Sequence, residues 1–178
     1  MNGDLIFQSS LSSQSQAVCL ATHSKYSHMG IIIFIDGKAE VFEAAGPVKI
    51  TPLDKWIKRG EGGKYVVKRL KNRDKILTQE KLAAMKAVGK NYMGRPYDIY
   101  FEWSDKNIYC SELVWKIYKK ATGLAIGKLQ TIKDMDLSHP AVKQKMRERW
   151  GETLPLNEPV ITPAAMFASV LLETVKYN

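Results

Sequence analysis

Residues 109–118 read YCSELVWKIY and place one of the two cysteines of the chain at the start of a predicted helix. A thiol in the first turn of a helix lies at the positive end of the helix dipole and beside unpaired backbone N–H groups, and both favour the nucleophilic thiolate. The alternative is that Cys110 is a small buried core residue. One helical face carries Cys110, Leu113, Val114, Ile117 and Ala121, which follow the helical period.

The composition predicts one globular domain, which we expect to span residues 1–178. Apolar residues make up 45% of the chain and charged residues 25%, which is ordinary for a globular protein. The longest apolar run, residues 30–35, is too short to cross a membrane. Two cysteines do not make a disulfide scaffold, and a Cys19–Cys110 bridge is disfavoured because it would consume the best nucleophile candidate.

The formal net charge is +9, and the basic residues gather in residues 68–73, 116–120 and 143–149. Such runs are usually solvated faces, although a positive field also attracts an anionic cell-wall polymer, lipid surface or nucleic acid. The sequence has no zinc-knuckle, helix-turn-helix or RNP-like pattern, so nucleic acid is not an expected partner. No histidine or cysteine pair has metal-ligand spacing, so we expect neither a metal nor another cofactor.

The order of predicted elements favours the α+β class with a mostly antiparallel sheet, because strands cluster before residue 70 and helices flank and follow them. Thr51 followed by Pro52 predicts a helix N-cap, and Gly60 ends that helix. No motif is assigned to the tail after Ala125. The predicted strands are residues 5–7, 30–35, 39–44 and 65–70, and the predicted helices are residues 12–21, 52–59, 78–92, 110–123, 138–150 and a short one opening at Thr162-Pro163.

The dipeptide Asp36-Gly37 predicts a two-residue hairpin turn, which fixes the pairing of the strands on either side. In that register His28 and Glu43 are diagonal neighbours on one face, within reach of long side chains. A carboxylate there holds the imidazole in one tautomer and stabilises its charged form. We expect Gly30 to leave open space on the same face. Taken singly, His28 is also explained as a structural histidine and Glu43 as a solvated strand-end charge.

Several ordered segments resemble the circularly permuted, YiiX-like branch of the papain-like NlpC-type cell-wall hydrolases. They are GDLIF at residues 3–7, SKYSH at 24–28, VFEA at 41–44, GRPYD at 94–98 and YCSELV at 109–114. The resemblance extends from Gly3 into the tail. It implies a permuted papain-like fold, in which an antiparallel barrel-like sheet packs against the nucleophile helix.

The resemblance also implies a catalytic triad, with Cys110 as nucleophile, His28 as its base and Glu43 as the residue that orients the imidazole. Unpermuted relatives begin with the cysteine helix and usually carry a different polar third residue, often histidine. The glutamate therefore leaves the substrate class open. The backbone N–H of Cys110 is the expected first oxyanion donor.

Four further residues are candidates for contact with the substrate. Tyr97 resembles the cleft tyrosine of the family, and a core aromatic residue after a proline turn is the competing interpretation. Tyr26, Ser27 and Tyr109 are the candidates for a second oxyanion donor.

Three functions remain open at this point. The first is a cysteine hydrolase of amide bonds in a cell-wall-type peptide or a small amino-acid conjugate. The second is a lipid esterase or acyltransferase, since the permuted branch also resembles lecithin retinol acyltransferase-like enzymes. Apolar residues near the nucleophile suit an acyl chain and equally suit a core: Met93, Ile99, Phe101 and Trp103. The third is a non-catalytic module that binds an anionic cell-wall or membrane surface.

The cellular location is an expectation from the resemblance alone. YiiX-like members usually carry an export signal upstream of the Gly-Asp strand, whereas this sequence begins at that strand. We expect a cell-envelope, periplasmic or secreted protein if such a signal has been trimmed, and a cytoplasmic protein otherwise.

Overall fold

The computed structural model describes residues 1–177 and contains eight strands and seven α-helices in those residues. The strands are β1 (Leu5–Gln8), β2 (His28–Ile35), β3 (Lys38–Ala44), β4 (Val48–Pro52), β5 (Val66–Leu70), β6 (Gln130–Thr131), β7 (Pro159–Val160) and β8 (Leu172–Tyr177). The helices are α1 (Ser13–Thr22), α2 (Leu53–Arg59), α3 (Arg73–Ile76), α4 (Gln79–Lys90), α5 (Cys110–Thr122), α6 (Pro140–Trp150) and α7 (Pro163–Phe167).

Six of the strands form one antiparallel sheet in the order β4-β3-β2-β1-β5-β8, while β6 and β7 pair separately. The predicted α+β class is therefore confirmed. Helix α5 packs on β2 and β3, and α4 lies beside α5. The helix that begins at Cys110 is thus held against the sheet.

The hairpin between β2 and β3 has the register that its turn predicts. Asp36 and Gly37 both have positive φ angles, of 50° and 75°, as a tight hairpin turn requires. Ile35 pairs with Lys38, and the ladder continues in that register toward the start of β2. This places His28 and Glu43 at the same end of the hairpin.

The sheet is covered on both faces, which explains why consecutive residues in the first part of β2 are all apolar. Ile31 belongs to the main core with Leu113 and Ile117 of α5. Ile32 belongs to a second core on the other face, where Trp56 of α2 is fully buried. A third apolar cluster joins α1 to α6 and the tail, with Ala17, Ala21, Ile132, Val142, Met146 and Val160 as its buried members.

Two local predictions are wrong. Thr51 is not a helix cap, because the backbone stays extended through β4 and α2 begins only at Leu53. Gly30 does not leave open space, because a Cβ atom there would lie 2.5 Å from Val41 Cγ1 and 2.9 Å from the Phe42 carbonyl oxygen. The glycine instead allows β2 and β3 to approach closely beside the site.

The tail contributes to the sheet, which the sequence pattern did not indicate. Strand β8 pairs with β5, so the strands are not confined to the first 70 residues. Thr162 accepts a hydrogen bond from the backbone N–H of Ala165 and caps α7 as predicted. Strand β8 therefore ties the end of the described chain to the central sheet.

The close approach at Gly30 generates a stability prediction. We expect Gly30→Ala to lower the free energy of unfolding by about 1–3 kcal/mol, because overpacking forces neighbouring groups to shift. Urea denaturation measures the change. In a Val41→Ala background the same substitution should cost less, because the nearest clashing atom has gone. Equal costs in the two backgrounds would contradict the packing explanation.

Candidate active site

The structure brings together three side chains from three elements. Cys110 is the first residue of α5, His28 is the first residue of β2, and Glu43 lies near the end of β3. His28 Nε2 lies 2.6 Å from Glu43 Oε2, and the imidazole interacts electrostatically with the Cys110 thiol. Because Nε2 faces the carboxylate, Nδ1 is the ring nitrogen left for the sulfur. The imidazole therefore bridges a carboxylate and a thiol.

Glu43 is completely buried and accepts hydrogen bonds from four side chains. His28 Nε2 binds one oxygen together with Trp56 Nε1 at 2.9 Å, while Thr51 Oγ1 binds the other at 2.6 Å. Arg59 Nη2 also donates to that second oxygen. Burial alone would raise the pKa of Glu43, but the hydrogen bonds and cations hold it at about 2. Glu43 is therefore ionised at neutral pH.

The electrostatics of the thiol and the imidazole favour a charge-separated pair. Burial acts to lower the pKa of His28, but hydrogen bonds with Cys110 and Glu43 outweigh it and raise that pKa to about 9. Burial acts to raise the pKa of Cys110, but the hydrogen bond with His28 outweighs it and lowers that pKa below its usual value. Both shifts favour thiolate and imidazolium at neutral pH.

The imidazole is also held in position by packing. The indole of Trp56 stacks on the His28 ring, with centroids 5.9 Å apart and an interplanar angle of 26°. Trp56 thus contacts the imidazole with its face and Glu43 with its N–H group. One side chain of α2 therefore orients two members of the site.

Sequence reasoning missed the residues that surround Glu43. Thr51 was assigned to a helix cap, and neither Trp56 nor Arg59 was assigned a role. The two α2 residues are three positions apart and so share one helical face. That spacing was a usable signal, but nothing in the sequence indicated that α2 packs beside the end of β3.

The four predicted substrate contacts occupy different environments. Tyr97 lies beside Cys110, and burial together with the charge of that neighbour raises the pKa of Tyr97 well above its usual value. Its phenol therefore keeps its proton beside the sulfur. The Ser27 carbonyl oxygen lies 4.0 Å from Cys110 Sγ, and the Ser27 hydroxyl hydrogen-bonds Ser15.

Tyr109 and Tyr26 both make contacts that hold the fold together. The Tyr109 phenol oxygen accepts a hydrogen bond from the Ile161 N–H at 3.1 Å, so it anchors the tail beside α5. Tyr26 packs against Phe7 and Phe167, with ring centroids 6.0 and 4.5 Å away. Tyr109 lines a cavity beside the Cys110 thiol, whereas Tyr26 lines neither that cavity nor the cleft beside His28.

Two spaces meet at the Cys110–His28 pair. His28 opens onto a cleft of about 630 Å³, and Cys110 opens onto an apolar cavity of about 90 Å³. The cleft has a mixed lining, with polar side chains from Gln8, Ser10, Ser12, Ser15 and Arg59 and apolar surface at Ala44 and Ala45. The apolar cavity runs between α1 and α6, and its lining includes Ala17, Ala21, Val142, Met146 and Ile161. Four residues line both spaces: Gln14, Val18, Ser27 and Tyr97.

The four apolar residues that were predicted near Cys110 are divided between surface and core. Met93 and Ile99 are exposed, and Trp103 packs edge-on against Trp115. Phe101 lines the apolar cavity and contacts the Tyr109 ring. Of the four, only Phe101 is positioned to contact a molecule bound beside the thiol.

The two cysteines are both free, so Cys19 and Cys110 do not form a bridge. Within residues 1–177, no three histidine, cysteine, aspartate or glutamate side chains are grouped so that they could hold a metal ion. None of the helices in the same residues combines the length and apolar character needed to cross a bilayer.

Comparison with known proteins gives concordant matches. Residues 1–176 match the family model described as permuted papain-like amidase enzyme, YaeF/YiiX, C92 family. The chain is 50% identical over 173 residues to the uncharacterized protein YiiX of Escherichia coli (strain K12), covering 97% of this chain and 84% of that protein. It is also similar to the crystal structure of metalloprotein yiiX from Escherichia coli O157:H7, with a TM-score of 0.94, 48% identity, and coverage of 100% of this chain and 97% of that one.

The charge-separated pair predicts the reactivity of the thiol. At about pH 6.5 we expect iodoacetamide to alkylate Cys110 at least about ten-fold faster than Cys19, because His28 holds the Cys110 sulfur as thiolate. Mass spectrometry of the two cysteine peptides gives both rates in one sample, so Cys19 serves as the internal reference. His28→Ala should remove the difference. Equal rates in the unmodified protein would exclude a paired thiolate.

Proposed function

Because the chain belongs to the permuted papain-like amidase family, YaeF/YiiX, we propose that it is a cysteine hydrolase that cleaves an amide bond through Cys110, His28 and Glu43. The observation that carries this proposal is the imidazole of His28, which contacts a buried carboxylate at 2.6 Å and interacts electrostatically with the Cys110 thiol. A nucleophile, its base and an orienting group in that order constitute a catalytic triad. The proposed substrates are peptides of cell-wall type or small amino-acid conjugates.

The reaction proceeds in two steps. The Cys110 thiolate attacks the amide carbonyl carbon and forms a C–S bond, while the C–N bond breaks and the His28 imidazolium gives its proton to the leaving nitrogen. The products of this step are a free amine and a thioester on Cys110. Neutral His28 then takes a proton from water, the resulting hydroxide attacks the thioester carbon, and the acid is released. The thiolate and the imidazolium are thereby restored.

The negative charge that develops on the carbonyl oxygen needs hydrogen-bond donors. The Cys110 N–H is the first, since the leading amides of a helix have no acceptor within it. Tyr97 is the proposed second donor, because its phenol keeps its proton and lies against the sulfur. Ser27 and Tyr109 are weaker candidates. The Ser27 group nearest the thiol is a carbonyl oxygen, which accepts rather than donates, and the Tyr109 phenol is already bound to the tail.

The similar protein from Escherichia coli O157:H7 is described as a metalloprotein. In residues 1–177 of this chain, histidine, cysteine and acidic side chains are not grouped in threes at metal-binding distances. The residues present therefore do not fit a protein-bound metal with three or more side-chain ligands. We derive no step through a metal.

A lipid ester or acyl-transfer substrate is the second candidate, and the apolar cavity at Cys110 favours it. The same thiolate and imidazolium would attack an ester, with an alcohol rather than an amine as leaving group. Comparing rates on an amide and an ester that share one acyl group separates the two activities.

Glu43→Gln tests the role of the carboxylate. We expect the variant to fold and to lose at least about 100-fold in kcat/KM, because the imidazolium loses its charged partner. In the unmodified protein kcat/KM should fall as pH rises through about 9, where His28 loses the proton that the leaving group needs. In the variant that fall should occur at lower pH, because the pKa of His28 is no longer raised by the carboxylate.

Glu40→Gln is the matched control, since Glu40 lies on the same strand and is not among the hydrogen-bond partners of His28. It should leave the rate and its pH profile unchanged. Wild-type kinetics in Glu43→Gln would remove the carboxylate from the mechanism. Circular dichroism of all three proteins separates loss of chemistry from loss of fold.

A further inference from the structure

We propose that Glu112 is a positioning residue, which holds the start of α5 and the Tyr97 loop (residues 96–108) in a fixed arrangement. This inference rests on the proposed function, because the groups that Glu112 positions are the two donors proposed for the carbonyl oxygen, the Cys110 N–H and the Tyr97 phenol. Glu112 lines neither the cavity beside the thiol nor the cleft beside His28, so it acts through its neighbours.

Glu112 is a completely buried acid in the first turn of α5. Its Oε2 accepts a hydrogen bond from the Tyr109 N–H at 3.4 Å, and its Oε1 lies 2.7 Å from Lys116 Nζ. In the first contact the third residue of a helix reaches back to the residue before the helix, as in a capping box. The carboxylate thereby fixes the backbone that leads into Cys110.

Lys116 extends this arrangement from α5 to the Tyr97 loop. Its side chain is buried, and its ammonium donates to the Ser104 carbonyl oxygen at 2.7 Å and to Asp105 Oδ1 at 2.9 Å. The middle of the loop is therefore tied to α5 one helical turn after Glu112. Removing the charge of Glu112 would leave the ammonium with a different balance of partners and would shift the loop relative to the helix.

The ends of the same loop hold Tyr97. The Ile108 N–H donates to the Pro96 carbonyl oxygen at 3.1 Å, and the Asp98 N–H donates to the Ile108 carbonyl oxygen at 3.4 Å. Tyr97 lies between these two paired positions, and Ile108 is two residues before Cys110. A shift of the loop relative to α5 therefore moves the Tyr97 phenol relative to the Cys110 N–H.

The groups that face Glu112 make its ion pair dependent on pH. Burial is the largest influence and raises the pKa of Glu112 to about 7, while Lys116 and the Tyr109 N–H act to lower it. The buried Asp98 carboxylate of the loop acts in the same direction as burial, and Asp105 competes for the Lys116 ammonium. Glu112 is thus ionised and paired above about pH 7, and it is neutral below that pH.

The test separates carbonyl chemistry from thiolate reactivity. The aldehyde N-acetyl-L-alaninal adds reversibly to a thiolate: a C–S bond forms, the carbonyl oxygen takes up the negative charge, and that oxygen then receives the proton of the imidazolium. Iodoacetamide instead loses iodide from a saturated carbon, and no charge develops on an oxygen at the reacting carbon. A residue that positions the oxyanion donors affects the first reaction and not the second.

Glu112→Gln keeps the size of the side chain and removes the charge that pairs with Lys116. At about pH 8 we expect the dissociation constant of the aldehyde adduct to rise at least about ten-fold, and kcat/KM for N-acetyl-L-alanine 4-nitroanilide to fall by a similar factor, because a misplaced donor stabilises the oxyanion less. The alkylation rate of Cys110 should change by less than about two-fold. Glu80→Gln, at an exposed first-turn glutamate of α4, is the matched control and should alter none of the three.

A pH series in the unmodified protein gives a second measurement that does not require a variant to fold. Protonation removes the same charge as the glutamine substitution. The aldehyde affinity divided by the alkylation rate of Cys110 should therefore fall by about five-fold between about pH 8 and about pH 6, where Glu112 becomes mostly protonated. The division cancels the change in the thiolate population, which affects both quantities.

The outcomes separate this inference from the proposed function. An equal loss of aldehyde affinity and alkylation rate in Glu112→Gln overturns the inference, because the residue then acts on the thiolate or on the fold. Unchanged aldehyde affinity, or the absence of an adduct in the unmodified protein, also overturns it. If the anilide is not cleaved while aldehyde affinity still depends on Glu112, the hydrolase proposal fails for this amide and the positioning role stands. If circular dichroism shows that the variant is unfolded, the pH series decides.

Discussion

A single buried carboxylate organises the candidate active site of this molecule. Glu43 has no exposed surface, and burying an unpaired charge would be prohibitive, so the surrounding chain has to supply donors. It does so from β2, β4 and α2, through His28, Thr51, Trp56 and Arg59. The carboxylate thereby fixes the end of the hairpin, the position of α2 and the orientation of the imidazole together.

The same carboxylate affects the charge of the thiol indirectly, through the imidazole. It stabilises the protonated imidazole, and the protonated imidazole in turn stabilises the thiolate. The dipole of α5 acts in the same direction at the sulfur. The reactivity of Cys110 therefore depends on a residue that is separated from it by the whole imidazole ring.

The sequence predicted the parts of the site that depend on short-range geometry. The Asp36-Gly37 turn fixed the hairpin register, which brought His28 and Glu43 within reach of each other. The period of α5 placed Cys110 at its first turn. The hydrogen-bond donors around Glu43 were not predicted, because their positions depend on how α2 packs. Strand β8 was not predicted, because its pairing with β5 joins distant segments of the chain.

The order of the three candidate catalytic residues along the chain has a consequence for biosynthesis. The hairpin that carries His28 and Glu43 is made of neighbouring residues, so it can form soon after it leaves the ribosome. Cys110 emerges much later and meets the imidazole only when α5 docks on the sheet. Until that docking the nascent polypeptide carries a thiol without the imidazole beside it, so the interaction that lowers the pKa of Cys110 arises only in the tertiary structure.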